Sequence, residues 1–283
     1  MFRWETPCQI AQTANFSCMT LTSPGLLHGP ADLSPDCAAR LPGLRLQLAL
    51  HLLLAWPLVA LGGAVLARWL GLPGWYAASA ALCFLLVAGL SWLDLRQHTI
   101  HQRWGAANRV TLLRGGLIAL VGGALPLAPV LDRDQSWAVA VIAIIALLLD
   151  GVDGWVARRR GLASPYGARF DMELDALLIL LLCLLLCLSG EVGAWVLGLG
   201  LLRPGFILAG KLWPRLAAPL PPSQRRRVIC VVQVVTLAAA ATPWIESPLT
   251  SVATGAAFAL LLFSFAADTV WLIHHGCRAD GFE

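Results

Sequence analysis

Eight runs of apolar side chains, separated by short polar connections, dominate this 283-residue chain and limit what it can fold into. They cover residues 44–66, 75–93, 110–130, 136–149, 176–188, 194–209, 228–244 and 252–273. A helix crossing a bilayer needs about 20 mainly apolar residues. Only helices and closed barrels satisfy their own backbone groups in hydrocarbon. The runs therefore predict an all-α membrane protein with about eight transmembrane helices. The fourth and fifth runs are short, and reach spanning length only if the polar stretches flanking residues 159–166 are helical too. That extension would carry a group of aspartates onto helix ends at the membrane boundary.

Composition agrees. The chain is 58% hydrophobic and only 13% charged, about half the charged fraction of an ordinary soluble domain. Such a chain cannot clothe its surface in polar groups. A formal charge of +4 is too small to argue for nucleic acid, and the positive residues sit in short clusters between apolar runs. The eight cysteines follow no zinc spacing and no disulfide framework. Cys83, Cys183, Cys187 and Cys230 lie within apolar runs, where a thiol acts as a small hydrophobe. Residues 1–43 read as a polar, mobile N-terminal tail without a secretory signal, with Met19 a second candidate start; residues 276–283 form a C-terminal tail.

Loop charges orient the spans. One set of connections carries Arg96, Arg103 and Arg109, then Arg158, Arg159 and Arg160, then Lys211, Arg215, Arg225, Arg226 and Arg227. The alternate set is nearly free of Lys and Arg, with Arg68 and Arg133 as exceptions. The positive-inside rule places the basic set and both termini in the cytoplasm. Residues 94–109, with His98, His101 and Trp104, mix basic and aromatic side chains, and read either as an interfacial helix or as a solvated linker.

The informative stretch runs Asp150-Gly-Val-Asp153-Gly154-Trp-Val-Ala157-Arg158, then Gly167-Ala-Arg-Phe-Asp171-Met-Glu173-Leu-Asp175. Carboxylates at the edge of a span are costly and usually functional. At about 100° per residue, Asp150, Asp153, Gly154 and Ala157 share one helix face, and Asp171 and Asp175 share another. Two helices thus offer carboxylate pairs that can point at each other. Converging carboxylates in a low dielectric must protonate or bind cations. Hard oxygen donors without Cys or His favour Mg²⁺ or Mn²⁺. Gly154, Ala157 and Gly167 leave room for a ligand, and Arg158 offers a forked phosphate donor. Together these point to phosphoryl transfer. Taken singly, each feature has a plainer use: aspartates cap helices, arginines set topology and small residues pack helices.

At these residues the sequence resembles the CDP-alcohol phosphotransferase (CDP-alcohol phosphatidyltransferase) family. Asp150 through Asp175 match every fixed position of its signature, D-x2-D-G-x2-A-R-x8-G-x3-D-x3-D. Asn108-x-x-Thr111-x-x-Arg114 is a second family-like feature. The resemblance covers about residues 106–275, and leaves the tail and the first two spans outside. It implies a six-helix core (110–275), to which 44–93 would add two N-terminal helices, around a cytoplasm-facing cavity in a homodimer within a bacterial inner membrane. It implies two divalent metals (Mg²⁺ or Mn²⁺) on Asp150, Asp153, Asp171 and Asp175. Asp175 would also take the acceptor hydroxyl proton. Asn108, Thr111, Gly154, Ala157 and Arg158 would line the pocket of a CDP-activated lipid, and the alcohol would displace CMP.

The acceptor alcohol is not specified: Ala176 follows Asp175 where glycerol-phosphate-using members typically carry lysine, and the Ser-Phe-Gly of serine-using members is absent. Arg203, Lys211 and Arg225–Arg227 are candidates for an anionic acceptor, and Asp268 is a candidate partner for Arg203 within the spans. Two other readings stay open at this point. One is an aspartate-rich intramembrane prenyltransferase, the other a divalent-cation transporter.

Overall fold

The computed structural model describes residues 35–93, 106–160, 165–213, 223–245 and 247–275. Among these no strand occurs, and eight long helices follow one another: α1 (Pro35–Leu70), α2 (Tyr76–Leu93), α3 (Ala106–Gly123), α4 (Arg133–Arg160), α5 (Pro165–Leu188), α6 (Leu197–Leu212), α7 (Gln224–Ala240) and α8 (Leu249–His275). Each of the eight apolar runs falls on one of them. Two helices, over Pro42–Leu70 and Leu249–Ile273, are long and apolar enough by length and composition to cross a bilayer; Tyr76–Trp92 and Ala194–Gly210 are apolar but shorter. The outward face of α1 carries Leu53, Leu54, Leu58, Leu61 and Trp69, all well exposed. An apolar face of that extent is incompatible with water as the only solvent.

Several boundaries differ from the sequence reading. Helix α1 begins at Pro35, inside the stretch expected to be a polar tail. Proline is tolerated in a helix's first turn, where its missing N–H would lack an intrahelical partner anyway. Helix α3 stops at Gly123, and a 3₁₀ segment over Leu125–Val130 replaces the rest of the expected third span. Pro126 and Pro129 lie in that segment, and neither can donate to a continuing α-ladder. As expected, α4 and α5 run into the polar stretches, reaching 28 and 24 residues. Of the segment 94–109, residues 94–105 lie outside the described residues, as do the C-terminal tail and most of the N-terminal one, and 106–109 form the start of α3. Cys83, Cys183, Cys187 and Cys230 are free thiols.

The connections are short and capped. Helix α1 ends in a Schellman turn: Gly71 takes φ +65°, and the Leu72 N–H donates to the Ala67 carbonyl at 2.9 Å. Helix α4 opens on a capping box, with the Gln135 N–H donating to Asp132 Oδ1 at 2.8 Å and the Asp132 N–H to Gln135 Oε1 at 3.1 Å. Gln135 Nε2 also donates to the Leu70 carbonyl, tying the end of α1 to the start of α4. At that same end, Trp137 of α4 meets Trp244 after α7 edge-on, with centroids 5.6 Å apart. The helices therefore alternate in direction. The ends rich in arginine and aspartate gather at the opposite end of the bundle.

Helix α3 is enclosed on nearly every side. The α1–α2 hairpin covers one face, and α4 and α5 the other. Two glycines make this approach possible. A Cβ at Gly123 would lie 3.0 Å from both Cα and N of Ala80, and one at Gly115 only 2.6 Å from Val87 Cγ1. Hydrogen bonds fix the seam: Tyr76 Oη donates to the Leu120 carbonyl at 2.7 Å, and Ser79 Oγ to that of Gly123 at 2.8 Å. Helix α5 supplies the other half of the core, through the buried row Phe170, Leu174, Leu178 and Leu182. Asp171 and Asp175 each follow one of these anchors by one residue, so burying the row aims both carboxylates toward α3 and α4.

Candidate active site

Asp150, in the second half of α4, and Asp171 and Asp175, in the first half of α5, come together: one carboxylate oxygen from each lies within 4.8 Å of the others. All three are partly buried, with side-chain exposures of 34%, 17% and 26%. At their centre stands Arg114 of α3, whose side chain is wholly buried. Its Nη1 donates to Asp150 Oδ1 at 2.7 Å and also to Asp171 Oδ1. Its Nη2 donates to Asp175 Oδ1, and to the Asp171 carbonyl at 3.4 Å.

The expectation that α4 and α5 present carboxylates to one another is met for these three aspartates. The sequence reading requires the converging carboxylates to protonate or bind cations, and the chain itself brings one cation to them, the Arg114 guanidinium. Arg114 appeared in the sequence as the last residue of Asn108-x-x-Thr111-x-x-Arg114, without a role. The signal was there, since an arginine eight residues into an apolar helix must be paired. Asn108 and Thr111 are also buried, at 5% and 4% exposure, about two turns and one turn before Arg114. Asp153, Gly154, Ala157 and Arg158 continue helix α4 beyond Asp150. Their side chains lie outside those described.

The donor set fits a divalent metal. Carboxylate oxygens are hard ligands, and two oxygens on one Mg²⁺ stand up to about 4.2 Å apart, with Ca²⁺ allowing about 5 Å. A separation limit of 4.8 Å therefore needs at most a small closure. A carboxylate offers about four lone-pair sites, so the contacts with Arg114 do not by themselves use up the cluster.

Asp175 also borders an open cleft between α5, α6, α7 and α8. Its walls are mainly apolar, including Met172, Ile179, Leu199, Leu261 and Phe265, with Arg203 and Gln233 as further polar members. Gln233 Nε2 donates to the Leu199 carbonyl at 3.2 Å. Arg203 Nη1 donates to the Met172 carbonyl at 2.8 Å, and its Nη2 lies 3.8 Å from Glu173.

The suggested pairing of Arg203 with Asp268 is not formed. Asp268 of α8 instead binds Arg225 at 2.5 Å and Arg226 at 3.3 Å. Arg203 faces α5 rather than α8, whereas the start of α7 lies beside the end of α8. Two of the arginines considered for an acceptor thus clamp α7 to α8.

An all-helical, strongly apolar bundle with a carboxylate cluster beside a cleft defines a class: a membrane-type helical protein whose acidic cluster could hold a metal ion. Comparison with known families makes this specific. The profile described as CDP-alcohol phosphatidyltransferase matches residues 104–270, more than half of the chain, and the chain belongs to that family. The match begins just before α3 and leaves the α1–α2 hairpin outside. It lends no support to the prenyltransferase or transporter readings. No curated protein and no solved structure matches the chain.

Proposed function

We propose that this protein transfers a phosphatidyl group from a CDP-activated lipid, such as CDP-diacylglycerol, to the hydroxyl of an acceptor alcohol, releasing CMP. The observation that carries this reading is the position of Asp175, which belongs both to the aspartate cluster and to the wall of the cleft. A carboxylate so placed can meet a donor's diphosphate on one side and an incoming hydroxyl on the other.

In this reading Asp150, Asp153, Asp171 and Asp175 hold two divalent cations, Mg²⁺ or Mn²⁺. These would supply charge neutralisation for the diphosphate and for the departing phosphate of CMP. Asn108, Thr111, Gly154, Ala157 and Arg158 line the nucleotide side. The acceptor occupies the cleft, and Asp175 takes its hydroxyl proton. The acceptor oxygen then bonds to the lipid-bearing phosphorus as the bond from that phosphorus to the CMP oxygen breaks. Arg203 gives the cleft a cation for an anionic acceptor such as a glycerol or sugar phosphate.

All eight helices cross the membrane in this reading, six as the family core and α1–α2 as an addition. The arginine-rich end lies in the cytoplasm of a bacterial cell, and the enzyme is a homodimer. The exposed apolar face of α1 and the one-sided distribution of arginines support this arrangement. The test is CMP release from CDP-diacylglycerol by purified protein with a panel of alcohols, phosphorylated and neutral. Release that requires both a divalent cation and one class of alcohol is expected. No release with any alcohol would remove the proposal.

A further inference from the structure

We infer that Arg114 is a built-in counter-ion, which lets the aspartate cluster assemble before any metal arrives and in doing so weakens the cluster's hold on metal. The inference rests on the metal reading above and adds a role for a residue not included in it. Three carboxylates converge on one guanidinium. Without that guanidinium the three carboxylates would face one another with its positive charge gone, in a setting where like charges this close drive protonation or separation.

The position of Arg114 is not adjustable. Its side chain has no exposure, and the next residue, Gly115, has no room even for a Cβ against Val87. Helix α3 is thus held from behind by the α1–α2 hairpin while the guanidinium reaches forward. The planar fork of arginine is pre-organised for several carboxylate oxygens at once, which a lysine ammonium is not. One positive charge at the centre of a cation site also opposes a second. By linkage, whatever Arg114 does to metal affinity, bound metal does to the cluster's need for Arg114.

Arg114 is a positioning residue in this account, and the test reads stability and ion binding rather than turnover. Melting temperature would be measured for the full chain in detergent, in excess EDTA and in Mn²⁺, and Mn²⁺ affinity would be measured separately. Wild type should be folded in EDTA. Arg114→Gln should melt well below wild type in EDTA, regain much of the difference in Mn²⁺, and so show an ion-dependent rise larger than wild type's by about 5 °C or more. Its Mn²⁺ affinity should be higher, by about ten-fold, a change worth about 1.4 kcal/mol. Arg114→Lys, which keeps the charge but not the fork, should fall between the two.

If Arg114→Gln gives no folded protein, the double variant Arg114→Gln/Asp150→Asn decides. It restores the charge balance and should recover folding in EDTA, and failure to do so overturns the inference. Equal melting of wild type and Arg114→Gln in EDTA, with unchanged Mn²⁺ affinity, overturns it too. Absence of Mn²⁺ binding in every form would instead sink the metal reading and with it the predicted weakening, while the EDTA arm still decides the counter-ion role.

Discussion

Two ion clusters sit toward the same end of the bundle with opposite stoichiometry. Among the described side chains, one arginine meets three aspartates in the first, and one aspartate meets two arginines in the second. The second is a clamp. Asp268 joins the first turn of α7 to the last third of α8, Arg225 adds a contact to the Ser264 carbonyl at 3.4 Å, and its excess positive charge suits the arginine-rich end. The first cluster, among the described side chains, gathers more carboxylates than guanidiniums and borders a cleft. Buried charge is expensive unless paired. Three carboxylates beside a cleft carry oxygen lone pairs that a further cation could meet, whereas the guanidiniums at the helix junction carry none.

Substitutions on either side should separate these roles. The largest effect is expected on turnover at Asp175: Asp175→Asn should lower kcat by about 10²–10⁴-fold, the usual contribution of a positioned general base, with a melting temperature close to wild type. Wild-type-like turnover would take Asp175 out of the chemistry. Asp268→Asn should do the reverse. It leaves Arg225 and Arg226 facing a neutral group, and should cost about 3 kcal/mol of stability, equally in EDTA and in Mn²⁺, which denaturant melts in both conditions would read. A stability loss that metal repairs would make the two clusters alike and break the distinction. A smaller effect is expected behind α3. Gly123→Leu should cost about 1–3 kcal/mol through overpacking against Ala80, and would sharpen the comparison by showing how far the hairpin supports the aspartate cluster and not the clamp. Unchanged stability would mean that the hairpin seam bears no load.

The helices and the aspartates were legible in the sequence for a common reason: both follow from local rules. Apolar run length locates spans, and the four-residue spacing of Asp171 and Asp175 places them on one face whatever surrounds them. The break at Gly123 was legible as well, since Pro126 and Pro129 stand in plain view, but hydropathy alone carried the span through them. Partnerships were harder to read. Which arginine meets which aspartate depends on how α3, α5, α6, α7 and α8 are arranged, and sequence position says little about that. Arg203 and Asp268 are candidate partners because both fall within spans, yet the pairing that forms links the helix junction at Arg225 and Arg226. Arg114 was visible as a motif residue. Its contact with three carboxylates from two other helices required the tertiary structure.

The account depends on the carboxylates of α4 and α5 forming one cation site, and Mn²⁺ binding followed by electron paramagnetic resonance on purified protein tests this most directly. Wild type should bind Mn²⁺ in competition with Mg²⁺, and Asp171→Asn, still folded, should lose most of that binding. A wild type that binds no Mn²⁺, or an Asp171→Asn variant that binds it as well as wild type does, would contradict the account.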